Sequence, residues 1–188
     1  DSVHGKFPEN VRATKDSLII GKKKIPVISE KDPSKLLWKQ FKVDVVVEST
    51  GRFRNPPETM KHIEAGAKKV LLSATLKPKD GKIPNNAITL VLGVNEKKYN
   101  KKKHDLISNA SCTTNNVSAL LKLLNQKFGI KRCSFSTIHS VTSSQKLVDL
   151  PHSDLRRARA AGINIIPTST SADKAAVQAI PSLKGKIR

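Results

Sequence analysis

The sequence predicts an α/β fold organised around a parallel sheet. Two runs of β-branched or aliphatic residues, 43–47 and 70–74, bracket a helix-like segment that opens on Pro56 and Pro57 and closes at Gly66. Strand, helix, strand in that order is the pattern of a parallel βαβ unit. The first run also ends in Glu48-Ser49-Thr50-Gly51, the polar loop expected at the carboxyl end of a buried parallel strand.

The elements follow in chain order. Residues 18–20 and 25–28 read as short strands joined by 21–24, a surface hairpin whose Lys22, Lys23 and Lys24 are either a solvated turn or a small phosphate-attracting patch. In the first helix Pro56, Pro57 and Glu58 suit the opening turn, and Met60, Ile63 and Ala67 fall near one face. Residues 77–86, rich in Lys, Pro, Asp, Gly and Asn, predict an exposed loop, and the runs 88–94 and 105–108 predict two further strands. From 113 to 128 the residues Val117, Leu120, Leu121 and Leu124 recur at helical spacing and Gly129 supplies a stop. The loose alternation from 133 to 141 predicts a strand carrying His139, and 144–171 reads as an irregular basic loop.

Composition narrows the function classes. Thirty-five Lys and Arg against 15 Asp and Glu leave a formal charge of +20, so phosphates and polyanions, RNA included, are partners to consider. With one Trp, one Tyr and five Phe there is little on which to stack bases, so such binding would be to backbone phosphate. The two cysteines form no zinc spacing and no disulfide framework, which favours a reducing compartment and no metal site. No apolar stretch reaches the roughly 18–20 residues of a membrane span and no leader-like segment is visible, so a soluble chain is expected.

The chemistry-bearing residues concentrate at 108–115, between a predicted strand and the start of the clearest helix. A thiol at a helix amino terminus feels the positive end of the macrodipole and nearby N–H groups, which favour its thiolate, so Cys112 is the candidate nucleophile. His139 on a separate element is the candidate base that takes up and returns the proton. A buried structural cysteine and a satisfied strand histidine are the bland alternatives.

The segments SNASCTTN at 108–115 and TIHSVTSSQ at 137–145 resemble the two active-site segments of the phosphorylating glyceraldehyde-3-phosphate dehydrogenases. The resemblance continues through DSVHG at 1–5, VVVESTG at 45–51, AGAKKVLLSA at 65–74, GVNEKKY at 93–99 and DLRRARAAGINIIPTSTSADKA at 154–175. It implies a partial Rossmann-like parallel sheet, the remainder of a dinucleotide-binding domain over 1–111, followed by the first part of an α+β catalytic domain over 112–188. It implies NAD as cofactor, held in part by Ser49, Thr50, Gly51 and Ser73, with Leu150 and Pro151 resembling the NAD-preferring pocket. It implies catalysis by Cys112 and His139 through a thioester, and phosphate binding by Ser111, Thr113, Thr142, Thr170 and Ser171. The partners implied are a small aldehyde substrate, inorganic phosphate and further copies of the chain in a homotetramer, with Arg156, Arg157 and Arg159 on a loop near a neighbouring subunit. A glycolytic role puts the protein in the cytoplasm or an organelle matrix.

Some family features are not in this sequence. The Gly-rich phosphate turn and the acidic residue for the adenosine ribose are not found, so these residues alone are expected to bind NAD poorly and to leave apolar sheet surface uncovered; a longer natural chain or a companion chain would supply the rest. Ser171 stands where the family's phosphate loop has Gly, Asp173 replaces a small residue, Val141 an aromatic and Asn116 the usual second cysteine. The Ser171 exchange is expected to be the most costly, because Gly permits positive φ and close backbone approach. Two functions are therefore carried forward: an NAD-dependent phosphorylating dehydrogenase, and a non-catalytic relative serving as a scaffold or RNA-associated subunit.

Overall fold

The computed structural model describes residues 2–187, so Asp1 of the DSVHG match and Arg188 lie outside the described residues. Two sheets form. The first is an antiparallel meander of β1 (Val11–Ala13), β2 (Ser17–Ile20) and β3 (Lys23–Pro26). Ile20 pairs with Lys23, so the turn is only Gly21-Lys22, and Gly21 at φ +55° occupies the first turn position that a two-residue hairpin reserves for glycine. Lys23 and Lys24, expected in the turn, are drawn into β3. The third strand, β1, was not expected from sequence.

The second sheet is parallel throughout, in the order β4 (Val45–Glu48), β5 (Lys69–Leu72), β7 (Leu106–Ser108), β6 (Ala87–Thr89). Between β4 and β5 runs α1 (Pro56–Glu64), with proline in the opening turn where its missing N–H costs nothing. Gly66 at φ +105° lets the chain leave that helix directly against Lys39. Val70, Leu72, Leu76, Ala87 and Leu106 form the core under this sheet, with Met60 and Ile63 of α1 packed against it. The outer face of β4 leaves Val45 and Val47 exposed, the uncovered apolar surface expected at an edge strand.

The run 88–94 is a strand only as far as Thr89, because Asn95 turns the chain: its Oδ1 accepts the N–H of Val91 and its Nδ2 donates to the Thr89 carbonyl. Beyond β7, α2 (Cys112–Lys127) is capped by Ser111, whose Oγ accepts the Thr114 N–H, and Gly129 follows it at φ +69°. The alanine-rich α3 (Ala172–Ala179) packs on α2 through Ala176 against Leu121, with Leu183 and Ile187 completing the second core. Val91, Ala110 and Ala179 join the two halves, and Thr89 Oγ1 donates to Gln178 Oε1 across the same seam at 2.7 Å.

The expected strand over 133–141 does not form. Cys133 makes a single parallel bridge with Ile187, and among the described residues no backbone hydrogen bond ties 134–141 to another segment. Alternation alone does not make a strand; its N–H and C=O groups need a neighbour in register, and none is in place here. Residues 144–171 are irregular, as expected.

Candidate active site

Four parallel strands put their carboxyl ends along one edge, and the residues that follow β4, β5 and β7 cluster there. β7 leads into the site. The Ser108 hydroxyl donates to the Ala74 carbonyl at 2.7 Å and accepts the Ala110 N–H at 3.1 Å, while the Asn109 N–H donates to the Leu72 carbonyl at 2.9 Å. These ties hold the buried Ala110 at φ +57°, a conformation that costs a non-glycine residue roughly 1–2 kcal/mol. The bend turns the chain from strand to helix, so that Ser111 caps α2 and Cys112 is its first residue. Asn115 reinforces the turn by donating to the carbonyls of Asn109 and Ser111.

Cys112 Sγ lies 3.2 Å from His139 Nε2. His139 Nδ1 is 2.7 Å from the Ser140 carbonyl, which can only accept, so Nδ1 carries a proton and Nε2 faces the sulfur as the proton-exchanging atom. The thiol pKa is lowered, first by the hydrogen bond to His139; burial opposes this, and the Thr113 N–H and hydroxyl and the charge on His139 add to it. The imidazole pKa is raised, first by the Ser140 carbonyl and then by Cys112. The two shifts act together to favour thiolate beside imidazolium, and the thiol is open to solvent.

The hydroxyls named from sequence fall into separate groups. Ser111 and Thr113 flank the sulfur, although Ser111 Oγ is also engaged with Thr114. Thr142 lies in a turn closed by Gln145, its hydroxyl 3.0 Å from Ser144 Oγ. Thr170 accepts the Ala172 N–H, and Ser171 is the residue before α3. Among the described residues, no hydrogen bond joins Thr142, Thr170 or Ser171 to Cys112 or His139. Ser171 has φ −112°, which any residue adopts, so the penalty expected for replacing Gly does not arise in this conformation. Asp173 sits in the first turn of α3, where the helix dipole favours a carboxylate.

Ser49, Thr50, Gly51 and Ser73 are exposed at the carboxyl ends of β4 and β5. Gly51 has φ +74° with no atom within 4 Å of where a Cβ would stand, so the turn presents bare backbone to the edge where such sheets hold dinucleotides. These residues fit a share in binding NAD. Leu150 and Pro151 are exposed and lie elsewhere in the hydrogen-bond network, on the loop where the Leu150 N–H donates to Ala158. The three arginines of the basic run on that loop share two carboxylates. Arg156 is bidentate to Asp154, Arg157 lies 3.9 Å from the same carboxylate, and Arg159 pairs with Asp149 at 2.8 Å.

Sequence reasoning missed one buried polar chain behind the Ser49–Gly51 turn. Trp38 Nε1 donates to His62 Nδ1 at 3.0 Å, His62 Nε2 is 3.1 Å from Glu48 Oε2, and Glu48 Oε1 accepts both the N–H and the hydroxyl of Thr50. The side chains of His62 and Glu48 are only 4% and 2% exposed, on a strand and a helix that no residue spacing connects. The only signal was a carboxylate at an inward position of an otherwise apolar strand.

Comparison with known proteins finds relatives of one family along the chain. The family model described as the glyceraldehyde 3-phosphate dehydrogenase NAD binding domain matches residues 1–56, and that of the C-terminal domain of the same family matches 111–188. Glyceraldehyde-3-phosphate dehydrogenase 1 of Bacillus subtilis (strain 168) is 52% identical over 187 residues, which is 100% of this chain and 54% of the relative. The Geobacillus stearothermophilus enzyme of that name is 50% identical over the same shares, and that of Thermotoga maritima 52% identical over 93% of this chain and 50% of its own length. The chain thus spans about half the length of the curated relatives it matches. With half of all positions shared along the chain and both domain models matched, the chain belongs to the glyceraldehyde-3-phosphate dehydrogenase family.

Proposed function

We propose that this chain carries the reactive centre of an NAD-dependent, phosphorylating glyceraldehyde-3-phosphate dehydrogenase. The observation that carries the reading is the thiol at the first residue of α2 within 3.2 Å of an imidazole nitrogen. The Cys112 thiolate attacks the aldehyde carbon, forming a C–S bond, and His139 delivers its Nε2 proton to the carbonyl oxygen to give a thiohemiacetal. His139 then takes that hydroxyl proton back as hydride leaves the carbon, for which bound NAD supplies the acceptor. The product on Cys112 is a thioester. An oxygen of inorganic phosphate attacks its acyl carbon, the C–S bond breaks, and the thiolate returns as an acyl phosphate departs.

Ser111, Thr113, Thr142, Thr170 and Ser171 serve the phosphate groups of substrate and co-substrate, since hydroxyls and helix-start amides suit phosphate oxygens. Ser49, Thr50, Gly51 and Ser73 contribute to the NAD site, with Leu150 and Pro151 favouring NAD. The domain division at 111/112, a homotetrameric assembly and a glycolytic role in the cytoplasm belong to the same reading. The surplus of positive charge is read as serving anionic substrates; association with RNA draws no support from the relatives, and Arg156, Arg157 and Arg159 have carboxylate partners. The test is reduction of NAD by the natural full-length protein, requiring both glyceraldehyde 3-phosphate and inorganic phosphate. Absence of turnover, or turnover unchanged in the Cys112→Ser variant, overturns the assignment.

A further inference from the structure

We infer that the chain Trp38–His62–Glu48, buried at His62 and Glu48 and half-buried at Trp38, positions Thr50, and through it the cofactor-facing turn 49–51, so that these three residues govern affinity for the dinucleotide without touching it. The inference rests on the dehydrogenase reading above. Its physical basis is that every hydrogen bond in the chain has a forced direction. An indole nitrogen only donates, so His62 Nδ1 is the acceptor from Trp38. The ring proton then resides on Nε2 and points at Glu48 Oε2, 3.1 Å away. Glu48 Oε1 accepts twice from one residue, from the Thr50 N–H at 2.8 Å and its hydroxyl at 2.5 Å. The Thr50 oxygen in turn accepts the Arg52 N–H at 3.2 Å.

Two features separate this arrangement from ordinary core packing. Glu48 is a carboxylate almost wholly removed from water at an inward position of a parallel strand, where an aliphatic residue would be the less costly choice. Its second oxygen is directed outward along the chain to an exposed turn rather than into the core. The turn is thereby fixed before any ligand arrives, at both backbone and side chain of Thr50, and a preformed turn binds more tightly than one ordered on binding. Trp38 anchors the far end, and the His62 ring also packs edge-on to Phe53, 6.4 Å between centroids.

The deciding variant is Glu48→Gln in the natural full-length protein. An amide offers one acceptor and one donor where the chain needs two acceptors. Either Thr50 loses its partner, or the amide N–H₂ faces the His62 N–H and the tautomer that relieves this clash breaks the Trp38 bond. We expect the Kd and KM for NAD to rise roughly tenfold, with kcat, the KM for aldehyde and phosphate, and the rate of Cys112 alkylation all within about twofold of the parent. In a Thr50→Val background, which loses the hydroxyl donor but keeps the backbone N–H, the Glu48→Gln effect on NAD should shrink without disappearing. Trp38→Phe, a gentler change measured in parallel in case Glu48→Gln does not fold, should raise the Kd for NAD about threefold. Unaltered NAD affinity in whichever variant folds overturns the inference. So does a lower kcat with every KM unchanged, the mark of a chain that only stabilises the fold. A parent protein that binds no NAD overturns the dehydrogenase reading and this inference with it, and the parent measurement alone separates the two failures.

Discussion

Ser108 hydrogen-bonds the carbonyl of Ala74 at 2.7 Å, tying the end of β7 to the residues just past β5. The same hydroxyl receives the Ala110 N–H, so one buried side chain fixes both the strand exit and the bend that launches α2. The placement of Cys112 is therefore a property of the parallel sheet, and the consequences are measurable.

Removing the imidazole removes the first cause of the low thiol pKa. In His139→Asn the turnover should fall about 10²–10⁴-fold, and alkylation of Cys112 by iodoacetamide at neutral pH roughly tenfold. The midpoint of the alkylation-rate profile should lie below the ordinary thiol value of about 8.5 in the parent and move up in the variant. A profile identical in both proteins refutes the pairing.

Ala110 holds a left-handed conformation with its methyl packed against Val91 and Ala179. Ala110→Gly relieves roughly 1–2 kcal/mol of backbone strain, but it loses the buried methyl and, by loosening the unfolded chain, a further ~0.4–1 kcal/mol. Urea denaturation should show a net change within about 1 kcal/mol. Ala110→Val, β-branched in that region and overpacked, should cost ~3 kcal/mol or more.

Gly66 is required for a different reason. A Cβ there would stand 2.5 Å from Lys39 Cβ and 2.8 Å from both Lys39 Cα and N, at φ +105°. Gly66→Ala should destabilise by ~3 kcal/mol in urea. Lys39→Gly should restore little of it, because two of the three obstructing atoms are backbone.

His104 predicts a pH dependence of stability. Its pKa is lowered, first by burial and then by Lys103 and Lys69, with Asp105 opposing, while Nδ1 accepts the Asn100 N–H at 3.0 Å. The unfolded ring protonates near pH ~6.5 and the folded ring only at lower pH. Stability due to the neutral ring is thus complete above about 6.5 and is lost as pH falls from there through the folded pKa. The urea midpoint should drop as pH falls below about 6.5, and His104→Asn, whose amide oxygen replaces the acceptor, should flatten the drop. Equal slopes in both proteins exclude His104 as the cause.

The parallel strands were legible from their unbroken aliphatic runs, as at Val70 to Leu72, although only alternate residues of β5 are fully buried. α2 was legible from its periodic leucines and its stop at Gly129. β1 was not, because Val11–Ala13 is three exposed residues whose only reason to be extended is β2. α3 also escaped, since an alanine-rich stretch carries a weak apolar pattern although Ala175 and Ala176 are fully buried. At the site, Cys112 and His139, both named from local wording, lie 3.2 Å apart. The misread strand over 133–141 shows the limit of alternation without a pairing partner. Trp38, His62 and Glu48 were invisible for a related reason, their association being purely three-dimensional.

That unpaired stretch means the reactive pair is held with unequal stiffness. The sulfur is bolted to a helix start that cannot shift without unfolding a turn, whereas the imidazole rides on a chain segment whose flank, at Ile138, is fully exposed. Changes around α2 will therefore alter how acidic the thiol is, while changes along 134–138 will alter the fraction of time the ring is in place. The first is a shift in pKa; the second, a shift in occupancy, leaves the pKa of the aligned pair untouched and shows only as fewer competent molecules.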